Sequence, residues 1–367
     1  MKEHLKFTVI GAGNGGKAMA AHLALMGKEV TLYNRTFAHV EVIAERGGID
    51  LENPGWSSGF GRLAKVTDKM EEALDGADVI MVVIPSSGHR DIANAAAPYL
   101  QDGQIVLLHP GRTCGAIEFV ETLRQAGCKT KPIIAEAETF IYASRSEGPS
   151  HVRIFRIKES VPLAALPATQ NKTVLDAVHT AYPQYIDGGN VLKTGLNNMG
   201  AVFHPALALL NSGWIESTHG DFEFYIDGVT PSVARVLEVI DRERCTVASS
   251  IGLRARTGLE WLELAYNARG ENLHEAIHNQ SGYYGIKAPP TLNHRYIFEE
   301  VPMSLVPIAA LGQRYGVSVN GIDAIIRLAC IIHNTDYWRK GRTLDKLGIK
   351  ELSVGELTHY VETGERD

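Results

Sequence analysis

FTVIGAGNGGKAMAAHLALMG, residues 7–27, decides the fold. A short apolar run leads into glycines at 11, 13, 15 and 16, and apolar residues at helical spacing follow until Gly27 closes the segment. This is a strand, a tight turn and a helix. Gly11, Gly13 and Gly16 occupy the three positions of a GxGxxG pattern, and each has a physical reason. Gly11 permits the tight turn, Gly13 lets a pyrophosphate approach the backbone, and Gly16 lets helix and strand pack closely. Asn14 and Gly15 complete the turn, and the helix start offers unpaired N–H groups and a positive dipole end to phosphates. An ordinary βα turn is the bland alternative.

Working outward, EVTLYN (29–34), DVIMVVIP (78–85) and QIVLLHP (104–110) are apolar runs of strand length. The last two are continuous, as expected of parallel strands buried on both faces. Helical stretches between them complete βαβ units, which predicts a Rossmann-type doubly wound α/β sheet. KPIIAEAETFIYASR, HVRIFRIK and VPLAALP, within 131–167, predict added antiparallel strands that extend this sheet. After Gly189 the pattern turns helical, over 191–211, 231–250, 257–268, 302–315 and 319–335. The turn Asp187-Gly188-Gly189-Asn190 sets the expected boundary: a dinucleotide-binding domain over 1–189 and an all-helical second domain over 190–367.

The end of the second strand bears on the cofactor. A site for NAD usually carries a carboxylate there, whereas this chain has Asn34, Arg35 and Thr36. A guanidinium binds a 2′-phosphate that a carboxylate would repel, so NADP(H) is favoured over NAD(H). A solvated surface role for Arg35 is the alternative. Pro85 and Ser86, after the DVIMVVI strand, are further cofactor-side candidates, and His109 to Thr113 are expected to border the nicotinamide pocket.

Composition narrows the partners. The net charge of −6 comes without a basic block, which argues against nucleic acid. No apolar run reaches membrane-spanning length and no secretory pattern opens the chain, so a soluble cytoplasmic protein is expected. The four cysteines show no CxxC spacing, which predicts reduced thiols and no metal site.

NNMGAVFHPALALLN (197–211) sets His204 and the helix-kinking Pro205 inside an apolar helix. A core histidine beside a packing kink is one reading. The other makes His204 a proton donor or acceptor aimed into a cleft. LNHRYIFEEVPMSLVP (292–307) supplies a partner set, with Glu300 to orient the imidazole and Arg295 to clamp a substrate carboxylate. Asn198 and Tyr142 are candidates to touch substrate, although a helix cap and a strand tie serve them equally well. Asp241, Glu243 and Arg244 read as a charged helix face, and His219 ranks next after His204.

Taken together, VIGAGNGGKAMAAHLAL, AVFHPALALLN, YIDGVTPSVARVLEVIDRER, HRYIFEEVP and GRTLDKLGI resemble the opine dehydrogenases, the octopine and nopaline dehydrogenase group, over nearly the whole chain. The resemblance implies NAD(P)H-dependent reductive condensation of an α-keto acid, such as pyruvate, with the amino group of an amino acid or amine. It also implies a homodimer. It places the catalytic histidine at His204, the arginine at Arg295 and the histidine-orienting carboxylate at Glu300. Here the chain departs from the family pattern, with Glu299-Glu300 in place of Glu-Asp. Two rivals stand beside this reading. One is an NADP-dependent keto or hydroxy acid reductase of the 6-phosphogluconate dehydrogenase-like class, with Lys193 as its lysine. The other is an NADP-binding sensor without turnover.

Overall fold

The computed structural model describes residues 4–53 and 57–366. Among the described residues twelve strands occur in chain order: β1 (Lys6–Ile10), β2 (Glu29–Tyr33), β3 (Gly48–Glu52), β4 (Gly59–Arg62), β5 (Lys65–Thr67), β6 (Val79–Val82), β7 (Ile105–Leu108), β8 (Ile133–Ala137), β9 (Tyr142–Gly148), β10 (His151–Ile157), β11 (Val161–Leu166) and β12 (Tyr185–Asp187). Eight of them build one sheet in the order β12-β11-β8-β7-β6-β1-β2-β5. β1, β2, β5, β6, β7 and β8 run parallel, as the doubly wound reading requires. All four residues of β6 and all four of β7 are buried, which is why their sequences are unbroken apolar runs.

The expected antiparallel extension divides in two. β11 pairs antiparallel with β8 and does extend the sheet. β9 and β10 do not. They join β3 and β4 in a separate four-stranded sheet, where β10 lies parallel to β3. That pairing links residues about a hundred positions apart, and the hairpin buries few of its residues, Tyr142 on β9 and Val152 and Ile154 on β10. Local periodicity carries no information about such a partner.

The chain divides into two compact units. The first comprises Met1–Gly111, Gly115–Thr194 and His359–Asp367, and the second Arg112–Cys114 and Gly195–Thr358. The division falls a few residues past the Asp187–Asn190 turn. The Val191–Leu196 helix stays with the first unit through Thr194, whose hydroxyl donates to the buried Glu136 carboxylate at 2.7 Å. The last residues return to the first unit, where Arg366 pairs with Glu121 at 3.1 Å.

The apolar run 191–211 is two helices, Val191–Leu196 and Met199–Leu210. The break comes at Asn197-Asn198, where Asn198 Oδ1 caps the second helix by accepting from Gly200 N. Pro205 lies inside that second helix, which continues to Leu210. No helix among the described residues is long and apolar enough to cross a membrane.

Candidate active site

In the first unit the chain leaves β1 with Gly11 at φ +106°, and the Gly11 amide donates to the Tyr33 carbonyl at 2.8 Å. A Cβ on Gly16 would collide with the Gly11 carbonyl oxygen, and one on Gly15 would meet the Phe140 ring at 2.7 Å. These two glycines are therefore packing requirements. Gly13 differs, because no heavy atom lies within 4 Å of where its Cβ would stand. The Asn14–Leu25 helix starts there with no side-chain cap and no acidic residue in its first turn. An open backbone beside uncapped amides is what a dinucleotide pyrophosphate needs, so these residues fit the cofactor. Asn14 Oδ1 accepts from Ser146 N at 3.0 Å, which ties the turn to β9.

Asn34 serves the turn itself. Its Oδ1 accepts from Ala12 N at 3.2 Å and its Nδ2 donates to the Thr36 carbonyl at 2.9 Å, so both ends of the amide are committed within the protein. Arg35 and Thr36 are exposed. Arg35 Nη1 stands 3.8 Å from Asp91 Oδ2, with the two side chains 80% and 72% exposed, a pair that solvent screens. Pro85 is exposed and Ser86 is buried.

Two residues expected near substrate or cofactor lie in the core of this unit. Tyr142 is buried, with its hydroxyl 2.8 Å from His22 Nδ1 and 2.7 Å from the Tyr182 hydroxyl. Such a phenol locks strand to helix and is not presented to a substrate. His109 is also buried, with Nδ1 3.2 Å from the Tyr185 hydroxyl and Nε2 3.2 Å from Met81 Sδ. Burial pushes its imidazole down to about 3. Lys193 is exposed on the Val191–Leu196 helix of the first unit. Glu52, Glu147 and His151 bring ligand-type atoms within 4.8 Å of one another on the second sheet. They are partly to fully exposed, and Arg153 already stands 3.9 Å from Glu52.

The second unit gathers the expected catalytic set. His204, on the Met199–Leu210 helix, places Nδ1 3.0 Å from Glu300 Oε1. The ring stacks on Tyr296 at 4.2 Å and 16°, and Tyr296 stacks in turn on Phe224 at 5.2 Å. Nε2 of His204 has no hydrogen-bond partner among the described residues, and the side chain is 21% exposed. Glu300 lies at the head of a π-helical turn, Val301–Leu305, that returns Ser304 Oγ to donate to Glu300 Oε2 at 2.9 Å. Arg295, 48% exposed, pairs through Nε with the buried Glu299 at 2.9 Å.

The cluster has further members, whose contacts to Glu299 and Glu300 the sequence did not show. Arg112 Nη1 lies 2.9 Å from Glu300 Oε1, and its Nε lies 3.6 Å from Glu299 Oε1. Glu300 is fully buried, which alone would raise its carboxyl. The Arg112 charge and the hydrogen bond from His204 outweigh burial and hold the carboxyl down at about 2. Burial likewise works against the Arg112 charge, but Glu300 and Glu299 reverse the balance and raise it. Asn198 is committed at both ends. Its Oδ1 accepts from Gly200 N and from Arg112 Nη1 at 3.2 Å, and its Nδ2 donates to Ser304 Oγ at 2.8 Å. It ties the helix start, Arg112 and Ser304 together. Gly200 makes the space, since a Cβ there would lie 2.5 Å from Glu300 Oε1 and 2.6 Å from Arg112 Nη1. No feature of Arg112 as a sequence position announced this, because its partners come from segments far along the chain.

His219 is an exposed helix C-cap at φ +51°, which removes it as a substitute for His204. Asp241 and Arg244 are buried against each other at 2.6 Å, not on a solvated face, with the guanidinium also donating to the Leu196 and Arg256 carbonyls.

A family profile described as NAD/NADP octopine/nopaline dehydrogenase, alpha-helical domain, matches residues 187–333. One described as NAD-dependent glycerol-3-phosphate dehydrogenase N-terminus matches residues 6–118. An opine dehydrogenase of Arthrobacter sp. (strain 1C) is 37% identical over 362 residues, covering 99% of this chain and 100% of the relative. Among solved structures, octopine dehydrogenase in complex with NADH and agmatine superposes with a TM-score of 0.83 at 20% identity, covering 99% of both chains. Yersinopine dehydrogenase with NADP+ bound gives 0.73 at 13% identity, covering 98% of both. The two structures share the fold of this chain.

Proposed function

This chain belongs to the opine dehydrogenase family, and from that premise we propose how its residues divide the work of the reaction. The enzyme catalyses NAD(P)H-dependent reductive condensation of an α-keto acid with the amino group of an amino acid or amine. The amine nitrogen adds to the keto carbon, water leaves to give an imine, and reduction of the C=N bond gives the secondary amine. A bound nicotinamide dinucleotide supplies the hydride for that last step. Gly11, Gly13, Asn14, Gly15 and Gly16 hold its pyrophosphate, with Gly13 as the point of closest backbone approach. Pro85 and Ser86 flank it.

The observation that carries the assignment is the His204–Glu300 pair at 3.0 Å, with the second imidazole nitrogen unbonded. Glu300 fixes Nδ1 and so the orientation of the ring. Nε2 then gives a proton to the departing hydroxyl, so that it leaves as water. Arg295, the more exposed of the two arginines, orients the keto acid through its carboxylate. The test is NADPH oxidation over a matrix of keto acids and amines. Oxidation that needs both partners supports the reading, and equal rates with keto acid alone would replace it with a simple keto acid reductase.

NADPH is the better cofactor in this reading, since Arg35 is exposed at the end of β2 where a 2′-phosphate would lie, and no carboxylate replaces Asn34. The enzyme works as a cytoplasmic homodimer. Supporting this are the scattered spacing of the four cysteines and the apolar side chains of Leu210, Trp214, Leu264 and Ile331 exposed on the helical unit. Sedimentation at micromolar concentration tests the dimer.

A further inference from the structure

We propose that Arg112 is a positioning residue that sets the charge balance of the His204–Glu300 pair and so makes the imidazole a ready proton donor. This rests on the reading of His204 as the acid–base group.

The geometry has three parts. First, a single carboxylate oxygen serves two donors, with Glu300 Oε1 3.0 Å from His204 Nδ1 and 2.9 Å from Arg112 Nη1. A guanidinium stays charged throughout the working range, so Glu300 is already compensated before the imidazole gains a proton. Second, the cluster is balanced. Arg112 and Arg295 offset Glu299 and Glu300, and protonation of His204 leaves one positive charge in excess. The remaining groups around the imidazole are Tyr296 on its face, His294 at the edge of Tyr296, Asn198, Ser304, and Tyr225 bonded to Tyr296. None of these adds a negative charge near neutral pH. An imidazolium in that setting sheds its proton more readily than one beside a bare carboxylate.

Third, the segment that carries Arg112 is held in place. Arg112 and Cys114 both adopt positive φ, +60° and +62°, which non-glycine residues rarely do. Thr113 between them is fastened to the helical unit at three points. Its amide donates to the Met303 carbonyl at 3.2 Å, its hydroxyl donates to the Gly195 carbonyl at 2.9 Å, and its own carbonyl accepts from Arg342 Nη1 at 2.9 Å. Met303 belongs to the same π-helical turn that presents Ser304 to Glu300. A substrate-binding role does not suit Arg112, because its side chain is 10% exposed and already engages Glu299, Glu300 and Asn198.

The test reads the imidazole without turnover. Histidine-labelled protein is titrated by NMR, with the His204 signal identified by its loss in H204N. Arg112→Gln removes the charge. Asn198→Asp leaves Arg112 in place and offsets its charge from 3.2 Å away, while keeping a helix-capping oxygen. Both variants are expected to move the His204 midpoint up by about one pH unit. Arg112→Lys is expected to keep the parent midpoint while lowering turnover through lost geometry. The falling limb of the pH profile of kcat/KM should move with the NMR midpoint in each case. An unmoved midpoint in R112Q that retains the parent melting temperature overturns the proposal, and if R112Q does not fold, an unmoved midpoint in N198D overturns it. The reading of His204 fails separately: full activity in H204A would sink it while leaving the NMR result intact.

Discussion

Glu300 reaches His204 although its side chain is one methylene longer than the aspartate of the family pattern: Oε1 lies 3.0 Å from Nδ1, and Ser304 and Arg112 hold the carboxylate there. The longer residue therefore does not break the pair. His204→Ala is expected to leave dinucleotide binding intact and lower turnover by roughly 10²–10⁴. Glu300→Gln removes the counter-charge of the imidazolium, so the falling limb of the pH profile moves to lower pH. Full turnover in H204A, or an upward move in E300Q, would contradict the assignment.

The nucleotide turn separates folding from binding at two glycines. Gly16→Ala should destabilise the protein itself, because its Cβ would collide with the Gly11 carbonyl oxygen. Gly13→Ala meets nothing within 4 Å, so its melting temperature should match the parent while affinity for NADPH and NADH falls. Equal dinucleotide affinity in G13A and parent would remove Gly13 from the site.

Arg35 and Asp91 give a cofactor test. Arg35→Glu should weaken NADPH selectively, by about 1.5–3 kcal/mol for one strong charge-assisted pair. Asp91→Asn should tighten NADPH slightly, since the exposed carboxylate 3.8 Å away is a weak competitor for the guanidinium. NADH affinity should change little in both. Equal kinetics with NADH and NADPH in the parent would end the preference.

His109 and Glu300 predict the acid limb of stability. His109 is buried neutral, with its imidazole held at about 3 against roughly 6.5 in the unfolded chain. Only the unfolded chain takes up its proton between those values. Stability is therefore full above about pH 6.5 and falls as pH drops toward 3, at up to about 1.4 kcal/mol per unit. Glu300, depressed to about 2, adds its loss only lower, from about 4.3 downward. His109→Phe should lower stability at pH 7, because the Tyr185 hydroxyl loses its acceptor, yet flatten the slope between pH 6.5 and about 4.5. Denaturant midpoints at stepped pH check this, and an unchanged slope would count against it.

The sequence disclosed what is local. β6 and β7 are buried on both faces, and a two-faced burial demands an unbroken apolar run, visible in VIMV and in IVLL. The glycine turn was legible because its constraints fall within six residues. The second sheet was not, because β10 finds β3 across a hundred residues and shows only half-buried alternation. His204, Arg295 and Glu300 stood out as candidates from residue type and local pattern, and a resemblance spread over the whole chain supplied their expected roles. Arg112 was expected beside a nicotinamide, and its contacts to Glu299, Glu300 and Asn198 were not legible, since a positive φ at an arginine has no signal in the sequence.

Gly200 offers the sharpest check on how tightly the cluster is built. A glycine in the first turn of a helix costs about 0.5–1 kcal/mol relative to alanine, so Gly200→Ala would ordinarily stabilise. Here the added Cβ would stand 2.5 Å from Glu300 Oε1 and 2.6 Å from Arg112 Nη1. One of the two charges must then move, and both are buried and held by hydrogen bonds to each other and to Asn198 and Ser304. We expect G200A to gain no stability, to keep its affinity for NADPH, and to lose turnover by at least about tenfold as the hydrogen bond from His204 to Glu300 is displaced. The discriminating measurement is kcat against melting temperature in the one variant. A G200A protein that melts higher than the parent and turns over at the parent rate would mean that the carboxylate has room to shift, and that its position at His204 Nδ1 is not what the reaction depends on.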